Sequence, residues 1–103
     1  MSDEYERLIH KYPGRIPIII TKYNDSTLPD LDKHKFIVPK NITTSQLIYI
    51  LRKRIHLEST QAIFIYINNI LPPSNTPIYE LYNEYKSDNG FLYINYTNEN
   101  TFG

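Results

Sequence analysis

Apolar positions along the chain switch repeatedly between a helical and a strand period, and the switches divide it into elements. In "SDEYERLIHKY", Tyr5, Leu8, Ile9 and Tyr12 recur at offsets of three, four and seven, which predicts a helix over residues 2–12. Ser2 or Asp3 can cap its start, and Asp3, Glu4 and Glu6 suit the positive end of its dipole. Pro13-Gly14 stops it. "RIPIIITKY" is apolar on both faces at Ile16, Ile18, Ile19 and Ile20, the pattern of a covered, central strand. After the polar stretch "NDSTLPDLDKH", "KFIVP" makes a short strand that ends at Pro39.

The next helix, "TTSQLIYILRKRIHL", has Thr43 as its cap and Gln46 three residues on, the spacing of a capping box. Leu47, Ile50, Leu51 and Ile55 form its apolar stripe, and Arg52 and Lys53 point elsewhere. "AIFIYI" reads as a buried strand, "NN" as a tight turn, and "IL" as a brief strand before Pro72-Pro73. A short helix begins at Thr76-Pro77, with Ile78, Leu81, Tyr82 and Tyr85 on one face. "DNG" then turns into the last strand, "FLYINY", and a polar tail runs over residues 97–103. Two hairpins flanking a helix, with a closing strand that can pair centrally, describe an α+β fold of the β-grasp, ubiquitin-like type with an added N-terminal helix. Residues 1–96 are expected to form that one domain.

Composition narrows the chemistry. The 103 residues include no cysteine, which excludes a thiol nucleophile, a cysteine metal site and a disulfide. Eleven basic residues balance eleven acidic ones, so no net field draws the chain onto nucleic acid. The longest apolar runs are strand-sized, and the acidic start lacks the apolar centre of a secretory leader. His10, His34 and His56 never share a helix face, so no metal site is expected. With glycine only at positions 14, 90 and 103, no phosphate-cradling loop can form. Glu80 and Glu84 read as solvated carboxylates, and no serine has the context of a nucleophile. The chain is read as a non-enzyme without a cofactor.

Several stretches carry a family resemblance. "KYPGRIPIII", "DLDKHKFIVP", "LRKRIHL", "INNILPP" and "GFLYINYTNENTFG" resemble the autophagy ubiquitin-like modifiers, the group of the gamma-aminobutyric-acid-receptor-associated protein. The resemblance runs in order from about Leu8 to Gly103.

It implies that Gly103 is activated by a ubiquitin-type activating enzyme, passed to a conjugating enzyme and joined to the amine of phosphatidylethanolamine. A cysteine protease reverses the step. Glycine suits the role because, lacking a Cβ, it can enter a narrow active-site tunnel on a polar leash. Family precursors usually carry residues beyond this glycine, and none follows it here. The implied location is the cytoplasm and, once lipidated, the autophagosome membrane. A monomer is expected, with no nucleic-acid partner.

The resemblance also implies recognition of aromatic-x-x-aliphatic receptor peptides as an added strand beside Lys35–Val38. The aromatic pocket then falls to Glu4, Leu8, Pro17, Ile19, Lys35, Ile37 and Phe91. The aliphatic pocket falls to Phe36, Val38, Pro39, Ile42, Leu47, Ile50 and Leu51. Arg15, Lys33, Lys35 and Arg54 would meet acidic flanks of the peptide. A second docking surface is implied along Ile63, Phe64, Ile65 and Tyr66. From the residues alone, Ile19, Val38, Leu47, Ile50 and Leu51 serve equally as β-grasp core, and the charged positions as ordinary surface.

The chain departs from the family in having one helix before "KYP" instead of two, and Ile9-His10 where basic residues are common. Tubulin contact and membrane tethering are therefore not carried over. A non-conjugated peptide-binding adaptor in vesicle trafficking is the alternative function.

Overall fold

A computed structural model describes residues 2–99. Ser2 caps helix α1 (Asp3–Lys11) by accepting from the Tyr5 amide, and the chain turns at Gly14 with φ +77°. Strand β1 (Arg15–Lys22) pairs antiparallel with β2 (Lys35–Pro39), Ile16 opposite Val38 and Pro17 opposite Ile37. Helix α2 (Thr44–Arg54) starts at the predicted capping box: Thr43 accepts from the Gln46 amide, and the Gln46 side chain accepts from the Thr43 amide. Strand β3 (Phe64–Tyr66), helix α3 (Ile78–Tyr85) and strand β4 (Leu92–Thr97) follow among the described residues. Among the described residues, no helix is long and apolar enough to cross a membrane.

The sheet order is β2-β1-β4-β3, with β4 parallel to β1 and antiparallel to β3. This is the mixed sheet of a β-grasp fold, and β1 is central, as its two-sided apolar pattern requires. Strand alternation sends Ile16, Ile18, Ile20, Leu92, Ile94 and Tyr96 to one face, where they pack with Leu47, Leu51 and Ile55 of α2 and Ile78 and Leu81 of α3. Pro17, Ile19, Lys35 and Ile37 point to the other face, over which α1 lies without burying any residue of its own.

Three details differ from the sequence pattern. "IL" at 70–71 is not a strand. Asn68 and Asn69 adopt φ of 51° and 62°, and the turn closes on one pair, Ile67 with Ile70, through reciprocal bonds of 2.9 Å. Pro72 and Pro73 have no amide proton to extend it, and Ile70 and Leu71 stay exposed. Within α2, the buried stripe is Thr44, Leu47, Leu51 and the following Ile55, and Ile50 falls on its flank, 38% exposed. At the other end, β4 continues one residue past Tyr96 to the buried Thr97. Asn98 is then held against the loop after β1: its carbonyl accepts from Ser26 Oγ and the Thr27 amide, and its amide donates to Thr27 Oγ1 at 2.7 Å.

Candidate functional site

Helix α1 is placed by contacts at its N-terminus. The Ser2 amide and hydroxyl both donate to the Asn89 carbonyl, and the Tyr5 ring packs against the backbone of Gly90, which has φ +91°. The Tyr82 hydroxyl, buried and next to Tyr5, donates to the Gly90 carbonyl at 2.7 Å, and burial above all pushes its pKa well up. The turn preceding β4 is thereby both seat and stop for the helix.

This placement leaves a cleft of about 400 Å³ between α1 and β2. Glu4, Leu8 and Tyr12 line it from the helix side, Ile37 and Phe36 from β2, and Phe91 from the residue just before β4. Arg15, Lys33 and Lys35 bring three cations to its rim. Lys35 Nζ donates to both Glu4 carboxylate oxygens at 2.8 and 2.7 Å and stands 6.0 Å from the Phe91 ring centre. Lys33 Nζ and the Arg54 guanidinium approach the Phe36 ring at 5.2 and 5.3 Å, so Phe36 lies between two cations.

The residues expected in the aromatic pocket thus divide. Glu4, Leu8, Lys35, Ile37 and Phe91 line one cleft. Pro17 and Ile19 do not line it; they lie one strand away, opposite Ile37 and Lys35 on the same face. Phe36 joins the cleft from the other expected set. Tyr12 lines it too, one turn beyond Leu8, which the helical stripe of α1 already signalled.

The residues expected in the aliphatic pocket are mostly core. Phe36, Val38, Leu47 and Leu51 are 9%, 6%, 1% and 1% exposed, filling the space between β2 and α2. Only Pro39, Ile42 and Ile50 of that set reach the surface. Ile63, Ile65 and Tyr66 are likewise buried, which leaves Phe64 as the half-exposed side chain of that stretch. β3 is nonetheless a sheet edge, as β2 is. Gly103, the expected conjugation point, lies outside the described residues.

Among the described residues, no three His, Asp or Glu side chains gather as metal ligands would. What the cleft offers is an apolar floor, a positive rim and, along β2, an open strand edge, equipment for holding a peptide.

Known proteins share this architecture and sequence. The family model for the ubiquitin-like autophagy protein Atg8 matches residues 1–103. Autophagy-related protein 8a of Arabidopsis thaliana is 46% identical over 100 residues, covering 97% of this chain and 82% of that protein. Autophagy-related protein 8 of Schizosaccharomyces pombe is 48% identical, with coverage of 97% and 83%. The crystal structure of Trypanosoma brucei ATG8 superposes with a TM-score of 0.89 at 39% identity, over 97% of this chain and 86% of the other. The chain belongs to the Atg8 family of ubiquitin-like autophagy proteins.

Proposed function

We propose that this protein is a modifier conjugated through Gly103 to phosphatidylethanolamine on autophagic membranes, where it recruits receptors bearing aromatic-x-x-aliphatic motifs. It acts as the substrate of an activating and a conjugating enzyme and is released by a cysteine protease; the catalysis is theirs. The observation that carries the recruiting half is the open edge of β2 beside a cleft floored by Leu8, Ile37 and Phe91. A peptide strand hydrogen-bonds to that edge, its aromatic side chain enters the cleft, and its aliphatic side chain reaches the surface near Ile42 and Ile50. Each buried anchor contributes about 1.5–3 kcal/mol. After ordering costs, a Kd near micromolar, about −8 kcal/mol, is expected. Acidic flanks meet Arg15, Lys33 and Arg54.

Reconstitution tests the conjugating half. With cognate activating and conjugating enzymes, ATP and liposomes containing phosphatidylethanolamine, the intact mass rises by one lipid, and Gly103→Ala abolishes the gain. No adduct from folded protein and active enzymes refutes conjugation and leaves the trafficking adaptor. Titration with an aromatic-x-x-aliphatic peptide tests the groove, since Lys35→Glu should weaken binding to an acidic-flanked peptide. Unchanged affinity refutes the placement.

A further inference from the structure

A second cleft, also about 400 Å³, opens below the Gly14 turn. Its walls come from three elements distant in sequence: Arg15 at the start of β1, Lys40 and Asn41 just after β2, and Tyr79 and Asn83 on α3. The Tyr79 amide donates to the Lys40 carbonyl at 3.1 Å, which ties the α3 wall to the Lys40 wall. Two properties bear on what this cleft could hold. No carboxylate lines it, although the chain has as many acidic as basic residues. In addition, its polar side chains are uncommitted apart from Tyr82, whose hydroxyl is bonded to the Gly90 carbonyl. Among the described residues, Arg15 and Lys40 have no ion-pair partner, and the Asn41 amide, the Asn83 amide and the Tyr79 hydroxyl have no hydrogen-bond partner. The peptide cleft differs on this point, because there Lys35 is already engaged by Glu4.

Two positive charges, two neutral amides and a phenol lining one hollow match the donor requirements of a phosphate. Guanidinium binds phosphate oxygens in pairs, ammonium supplies a compact charge, and amide N–H groups complete the shell. A bare phosphate would leave much of the volume empty, since each water takes about 30 Å³. The exposed Tyr79 ring offers an apolar wall for whatever the phosphate is attached to. We propose that this cleft is a binding site for a phosphomonoester, supplied either by a lipid headgroup or by a soluble phosphoester. The site is separate from the peptide groove, although Arg15 borders both.

The test uses the whole chain and keeps Arg15 intact, so that failure of the peptide groove cannot be mistaken for failure of this site. Glycerol phosphate is titrated into isotopically labelled protein while backbone amide resonances are followed. Vesicles of phosphatidylcholine with and without phosphatidic acid are used in parallel co-sedimentation. Resonances of Lys40, Asn41, Tyr79 and Asn83 should move with glycerol phosphate and not with glycerol. Lys40→Glu should weaken the response about tenfold or more, the loss of one close charge pair. Asn83→Asp, on the exposed face of α3, gives a second reading should Lys40→Glu disturb folding. Response to glycerol phosphate identifies a soluble phosphoester, and retention by phosphatidic acid vesicles alone, lost in Lys40→Glu, identifies a lipid headgroup. The proposal is overturned if neither probe binds, or if binding survives both substitutions and maps to the basic residues of α2.

Discussion

The ring of Tyr5 occupies the space that a Cβ on residue 90 would fill. Gly90 also has φ +91°, a conformation side chains rarely adopt. Gly90→Ala therefore meets both backbone strain and overpacking and is expected to cost about 2–4 kcal/mol in urea unfolding. Adding Tyr5→Ala should restore part of that loss, because the clash disappears while the strain remains. Strict additivity of the two changes would contradict the contact.

Glu4 holds the Lys35 ammonium across the mouth of the peptide cleft, with the two side chains 37% and 56% exposed. Such a pair is worth below about 1 kcal/mol. Glu4→Gln should leave stability nearly unchanged. It should tighten binding of an acidic-flanked peptide about two- to fivefold at low salt, since Lys35 no longer has to exchange partners. Calorimetric titration at two ionic strengths checks this, and weaker binding would show that Glu4 itself contacts the peptide.

Alkaline stability depends on buried phenols. Tyr96 is fully buried, donates to the Pro29 carbonyl at 2.8 Å, and has its pKa pushed up from 10.0 to about 12 by burial and, secondarily, by Asp30. Tyr82 shifts the same way. The folded state thus keeps protons that the unfolded state has begun to lose, so this stability is whole below pH 10 and is lost as pH rises towards about 12. Urea midpoints across that range should fall. Tyr96→Phe should lower stability by about 1 kcal/mol near neutrality and flatten the alkaline slope. An unchanged slope would assign the loss to other groups.

Leu51 and Ile50 are neighbours in sequence with different surroundings. Leu51 is 1% exposed in the core, and Ile50 is 38% exposed on the flank of α2. Leu51→Ala should cost about 2–5 kcal/mol of stability. Ile50→Ala should cost below about 1 kcal/mol and report on the aliphatic side chain of a bound peptide. Thermal melts and peptide titrations of both variants separate the two roles.

Elements with a strong local signal were legible from sequence. The Thr43–Gln46 box, the Asn68-Asn69 turn and the two-sided Ile16–Ile20 strand each owe their form to neighbouring residues, and each appears where the pattern put it. The division of apolar side chains between core and cleft was not legible. Leu8 and Leu51 look alike in an apolar stripe, and only the packing of α1 on one face of the sheet and α2 on the other distinguishes them. The second cleft was also invisible, since Arg15, Lys40 and Asn83 have no periodic relation and meet only through the fold.

The parallel pairing of β1 with β4 places Ile18 beside Leu92, joining the first strand made to the last of the described ones. During synthesis, the central strand of the sheet therefore lacks one of its two neighbours until residues 92–97 have left the ribosome. The chain cannot complete its core piecemeal as it emerges. Arrested nascent chains that withhold β4 should remain open to protease, and those that expose it should become resistant.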